Sequence, residues 1–249
     1  MKTRIRERCA ICGEKLEEPL IKLPNYPLTE RYSKKNAKGI YVDQGFCYCN
    51  NCGHGQLKTI IDKDILYGNY DYRTTTSTGG GREGIKHLLQ FMDENIKKNF
   101  NKIVEIGCND GFLLRTLQNR ADILIGIDPT IKTRREDDIF FIGDYWENTD
   151  VDLSGALVLC NHVLEHLEEP RFLIQSLLSR ADKKTIFVFS FPILDFLVED
   201  MRFDQIFHHH LHYFSIDSML YLLNELGCNF YYECNPNFWG SMYIIFWKA

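Results

Sequence analysis

Residues 101–119 read NKIVEIGCNDGFLLRTLQN, and their order decides the fold. Lys102–Ile106 is a short apolar run suited to a strand. Gly107, Asn109 and Gly111 break it, and Phe112, Leu113, Leu114 and Leu117 then recur at helical spacing. The reading is strand, tight turn, helix. Further apolar runs follow at DILIGIDP (122–129), DIFFIGD (138–144), GALVLCN (155–161) and KKTIFVFSFP (183–192). Helices are predicted near 170–180 and 216–226. Before the turn, Ile85, Leu88, Leu89, Met92 and Ile96 share one helical face. NFYYECN (229–235) and SMYIIFWK (241–248) predict two late strands. Alternating strands and helices imply an α/β, Rossmann-like domain with a parallel sheet covered on both faces. Such sheets bind ligands beyond the carboxyl ends of their strands.

The turn itself narrows the ligand. A nicotinamide dinucleotide site prefers glycine where Asn109 and Phe112 stand. The pattern Glu105-x-Gly107-x-Asn109-x-Gly111 suits S-adenosylmethionine (SAM) instead. Asparagine tolerates the left-handed conformation, and the two glycines let the backbone approach the methionine part. Asp128, before Pro129, lies about 20 residues past the turn, where an acid accepts ribose hydroxyls. Asp144 is placed to receive an adenine amino group, with Tyr145 or Trp146 against the ring. Asn161 and His162 follow the fourth strand and are expected to face the pocket.

The amino-terminal part obeys different rules. Cys9-Ala-Ile-Cys12-Gly13 is echoed by Cys49-Asn-Asn-Cys52-Gly53. Four thiolates around one cation make a closed structural zinc site. Cys47 and His54 are the alternatives to Cys49 and Cys52. The segment between the pairs is rich in turn formers and shows no helical period. A small zinc-ribbon-like domain over 1–72 and a cofactor domain over 73–249 are expected.

The totals exclude several classes. Lys and Arg number 29 against 34 Asp and Glu, a net charge of −5, so no basic surplus points to nucleic acid. No run reaches the length of a membrane span, and the charged start is not a secretory signal. A cytoplasmic protein is expected, its nine cysteines serving as thiols or metal ligands.

In this order, CAIC and CNNCGHGQL, YGNYDYRTTTST (67–78), VEIGCNDGFLL (104–114), LCNHVLEHLEEP (159–170) and FDQIFHHHLHYFS (203–215) resemble the SAM-dependent sugar C-methyltransferases with an amino-terminal zinc domain. The likeness runs from Cys9 to Ser241. It implies a class I methyltransferase domain acting on a nucleotide-linked sugar. Cys9, Cys12, Cys49 and Cys52 match the family's zinc ligands. Glu105, Gly107, Asn109, Gly111 and Asp128 match its SAM loop and ribose acid. Tyr70, Tyr72 and Ser77 match a link that covers the cofactor and supplies a phenol to the pocket. The family's further carboxy-terminal domain is expected to be absent here.

His210 matches the family's proposed general base; a histidine can take a proton near neutral pH. Phe207 stands where the family has tyrosine, and His209 where it has glutamate. Both departures leave O-methylation open beside C-methylation, including methylation of a phosphoryl-type group on a capsule precursor. A protein that binds SAM without catalysis is the remaining alternative. His208 or His209 is expected to orient His210 or contact an anionic acceptor. A competing metal reading uses His208, His210 and His212 on one face of an extended segment.

Overall fold

The structure, a computed structural model, describes residues 2–28, 39–67, 79–236 and 240–249. It contains two compact units. The first comprises Met1–Tyr72, Glu165–Arg171 and Pro192–Leu222; the second comprises Arg73–Leu164, Phe172–Phe191 and Leu223–Ala249.

The first unit begins with β1 (Thr3–Ile5), β2 (Ile21–Pro27), β3 (Tyr41–Tyr48), β4 (Gly55–Leu57), β5 (Thr59–Ile61) and helix α1 (Lys63–Tyr67). β1 pairs with β5, and a four-stranded sheet runs β12-β4-β3-β2, β12 being His212–Tyr213. The turn-rich reading of residues 21–44 missed β2. Pro24 and Asn25 interrupt its alternation, and the register slips between Leu23 and Tyr26, where Asn25 has φ 53°. Phe46, Leu57, Ile60, Leu194, Ile206, Leu211 and Tyr213 form one small core. Leu28, Val42, Ile61 and Leu66 form another.

The second unit carries α2 (Gly79–Asn95), β6 (Lys102–Ile106), α3 (Phe112–Thr116), β7 (Ile123–Ile127), β8 (Arg134–Glu136), β9 (Ile139–Ile142), β10 (Leu157–Asn161), α4 (Pro170–Ser179) and β11 (Ile186–Pro192). After α5 (Leu194–Glu199) of the first unit comes α6 (Ile216–Glu225), whose residues 216–222 also belong to that unit, and then β13 (Cys228–Asn235) and β14 (Ser241–Lys248) of the second. Eight strands run β13-β14-β11-β10-β6-β7-β9-β8. The run β11-β10-β6-β7-β9 is parallel. β13 with β14 and β8 with β9 pair antiparallel. β6, β10 and β11 are buried almost end to end, because helices cover both faces of such a sheet. Ile85, Leu88, Phe91 and Met92 of α2 seat on Ile103, Leu124, Leu157 and Val188. The charged hairpin strand β8 and the short α5 had no sequence expectation. Among the described residues no helix is long and apolar enough to cross a membrane.

β6 lies between β7, which follows it in the chain, and β10, which comes later. The strand order therefore reverses beside β6, and this reversal opens a crevice at the carboxyl ends of the strands.

Candidate functional site

The turn after β6 occupies that crevice. Gly107, Asn109 and Gly111 all take positive φ, at 71°, 49° and 80°. The Gly107 amide donates to the Ile127 carbonyl at 2.7 Å, tying the turn to β7. The Asn109 amide donates to Asp128 Oδ2 at 2.9 Å. Asp128 Oδ1 accepts from the Thr130 amide at 2.8 Å and from its hydroxyl at 2.5 Å. The acid is thus aimed by the backbone on both sides, while Pro129 beside it is exposed. Phe112, half-buried, starts a helix of only five residues.

Glu105 is buried at the end of β6, and its Oε2 has no hydrogen-bond partner among the described residues. Burial, reinforced by the charges of Asp128 and Asp110, raises its carboxyl well above the usual range. An acid with one unpartnered oxygen beside two others makes a spot that a cationic ligand relieves. SAM carries both a sulfonium and an ammonium, so the crevice fits it. A raised folded pKa means that this acid's stability contribution is full below its unfolded value near 4.5. That contribution is lost as the pH rises toward the folded value. Glu105→Gln is therefore expected to stabilise the cofactor-free protein by about 1–3 kcal/mol at pH 8, with little gain at pH 4. SAM affinity should fall at least about tenfold, or ~1.4 kcal/mol. Paired melting curves across pH check it; an equal shift at both pH values would refute the assignment.

Asp144 caps its own turn, Oδ1 accepting from the Tyr145 amide and from Asn148 Nδ2, each at 2.7 Å. The Asn148 bond, then the Tyr145 amide, holds its carboxyl below the usual range. Of the two neighbouring aromatics, Trp146 is buried and donates from Nε1 to Ser176 Oγ at 3.0 Å, while Tyr145 is exposed. Asn161 and His162 end β10, half-buried. Ser190 donates to Asn161 Oδ1 at 2.5 Å, leaving the amide hydrogens to face elsewhere. Ser190 and Val163 went unnoticed in the sequence. The one signal for Ser190 was a hydroxyl inside the apolar run IFVFSFP.

In the first unit, Cys9, Cys12, Cys49 and Cys52 bring their sulfurs within 4.8 Å of one another. Cys9 Sγ and Cys52 Sγ are 3.6 Å apart, and Cys12 Sγ and Cys49 Sγ 3.5 Å. A tetrahedron with Zn–S near 2.3 Å has edges of about 3.8 Å, so the residues fit zinc. Gly13 and Gly53, at φ 78° and 75°, turn the two knuckles. The Cys52 hydrogen bond lowers the Cys9 thiol to about 5 and raises Cys52 in turn. Cys47 and His54 stand outside this set; His54 Nε2 lies 2.9 Å from His212 Nδ1.

The histidine run splits by environment. Gln44 Nε2 donates to His208 Nδ1 at 3.2 Å, and His208 Nε2 donates to the Tyr26 carbonyl at 3.3 Å. His212 is buried between His54 and the Glu168 carbonyl. His208, His210 and His212 do not converge on a common ion. His209 is buried, whereas His210 is half-buried against Phe207, with ring centroids 4.2 Å apart. His210 converges instead with Glu165 and His166. Tyr70, Tyr72 and Ser77 lie outside the described residues.

A family model described as "Methyltransferase domain" matches residues 80–233. The chain belongs to this methyltransferase family. A second model, described as "Putative zinc binding domain", matches residues 9–67. The methyltransferase is 24% identical over 192 residues to the C-methyltransferase NovU of Streptomyces niveus, covering 72% of this chain and 45% of that one. It thus spans less than half the length of that curated relative. Among solved structures, the plantazolicin methyltransferase BpumL with SAH superposes with a TM-score of 0.57 at 15% identity. That match covers 75% of this chain and 93% of that one. Magnesium protoporphyrin IX methyltransferase from Synechocystis PCC 6803, also with SAH, gives 0.52 at 16%, covering 68% and 84%. These two likenesses are of fold. The four-cysteine cluster falls within the stretch matched by the zinc-binding model and has the donor set for Zn2+.

Proposed function

We propose that this methyltransferase moves the methyl group of SAM to a nucleotide-activated sugar or a related surface-polysaccharide precursor, at carbon or oxygen. The observation that carries the cofactor half is the left-handed turn beside the buried Glu105, whose Oε2 has no partner among the described residues. Gly107, Asn109, Gly111 and Phe112 would hold the methionine part, Asp128 and Pro129 the ribose, and Asp144 with Tyr145 the adenine. Asn161 and His162 would close the strand end.

The acceptor half is supported by the motif order from Cys9 to Ser241 and by the relative named as a C-methyltransferase. The acceptor's electron pair attacks the methyl carbon in line with the C–S bond, which breaks toward sulfur. That pair is available only after a proton leaves the acceptor, a step assigned to the neighbourhood of His210. Zinc contributes folding and no chemistry, because four thiolates leave it no open position.

Incubation with isotopically labelled SAM and a panel of nucleotide-linked sugars, followed by mass spectrometry, should place the label on one of them. His210→Ala should lower turnover by about 100-fold or more while SAM affinity stays within about twofold. Unchanged turnover removes His210 from the reaction, and an unlabelled panel removes the sugar.

A further inference from the structure

We propose a second metal site in the first unit, in which Glu165, His166 and His210 hold a divalent transition-metal ion. This goes beyond the structural zinc and gives a chemical role to the acceptor-side reading of His210, on which that role rests. Each of the three residues offers a ligand atom, and these lie within 4.8 Å of one another.

Local geometry explains the convergence. Glu165 and His166 sit on one 3-10 turn, Leu164–His166. His166 Nδ1 donates to the His209 carbonyl at 2.9 Å, pinning that turn to the backbone beside His210. A carbonyl can only accept, so the His166 proton is on Nδ1 and the lone pair on Nε2 is left to bind. A backbone carbonyl fixing the tautomer of a metal-ligating imidazole is a recurrent supporting arrangement. The His166 and His210 rings meet nearly edge-on, with centroids 4.7 Å apart and planes at 76°. Phe207 walls one side of His210. Glu165 is fully buried, at 0% exposure. Its carboxylate adds an anionic oxygen donor to the two imidazole nitrogens, a mixed set that suits a divalent ion.

The donor set specifies the ion. Two imidazoles and a carboxylate, with no sulfur, suit Zn2+, Fe2+, Mn2+ or Co2+. Three protein ligands leave at least one coordination position open, unlike the four-cysteine cluster. An acceptor hydroxyl bound there would lose its proton to water and keep its oxygen pair, so His210 would act as a ligand rather than a free base.

Loading the full chain with Co2+ reads both sites at once. Thiolate ligands give intense near-ultraviolet charge-transfer absorption, whereas a nitrogen–oxygen set gives only weak visible bands. The expected result is two equivalents per chain. Glu165→Gln and His210→Ala should each weaken the second site at least about 100-fold with the thiolate band unchanged, which also reports that the unit remains folded. One equivalent in the wild-type chain overturns the assignment, as does a second equivalent that survives both substitutions. Methyl transfer on the same samples separates the two proposals. Transfer with one metal per chain removes the ion and leaves the function. Two metals without transfer to any sugar leave the ion and remove the acceptor class.

Discussion

Cys52→Ser is expected to release the structural zinc and unfold the first unit. Its two small cores, around Phe46 and Leu57 and around Val42 and Leu66, are too modest to hold the strands alone. Zinc bound by thiolates contributes ~10–16 kcal/mol to folding in small metal-dependent domains, against a total stability of ~5–15 kcal/mol for a typical domain. Even a fraction of that loss exceeds what the unit can spare. The damage should reach beyond the knuckles. β12 pairs with β4, through His212 with Gln56 and Tyr213 with Gly55, and Arg171 Nη1 donates to the Ile11 carbonyl at 2.8 Å. Hydrogen exchange should therefore lose protection over 165–171 and 192–222 as well as over 2–61. The parallel sheet, which has its own core around Ile103, Leu124 and Leu159, should keep its protection. A serine variant with unchanged zinc content and an unchanged first unfolding transition would refute this.

Gly107→Ala should cost less, and for a different reason. A Cβ at this position would lie 2.2 Å from Val163 Cγ2, and the residue has φ 71°. The left-handed conformation costs a non-glycine residue about 1–2 kcal/mol, and the forced displacement of Val163 about 1–3 kcal/mol. The sum, ~2–5 kcal/mol, falls on the turn that shapes the crevice, so SAM affinity should drop with stability. A double-mutant cycle with Val163→Ala divides the cost. Shortening Val163 removes the steric part and leaves the conformational part, so the pair should couple by about 1 kcal/mol or more. Strict additivity in melting and in SAM titration would show that the close approach to Val163 is not what requires glycine.

The departures of structure from sequence expectation have particular causes. β2 was hidden because Pro24 and Asn25 break its period at a register slip. β8, reading Arg-Arg-Glu, has no apolar signature and exists because it pairs with β9 at the sheet edge. The four histidines at 208, 209, 210 and 212 look equivalent along the chain. Folding gives His208 to Gln44 and Tyr26, His212 to His54 and Glu168, and His210 to the Glu165–His166 turn.

What the sequence determined by itself was local. Strand, glycine turn and helix at 102–116, the alternating pattern around them and the paired CxxC knuckles are all written over a few neighbouring residues. Left-handed backbone needs glycine or asparagine, buried strands need apolar runs, and tight thiolate turns need glycine, so each leaves a mark on its own stretch. Only the tertiary structure decided that Pro192–Leu222 joins the zinc-bearing unit, that Glu105 is buried with its Oε2 unpaired among the described residues, and that Glu165 meets His210. Those facts depend on residues tens of positions apart in the chain. A buried carboxylate or imidazole takes its character from whatever the fold packs beside it, not from its neighbours in sequence.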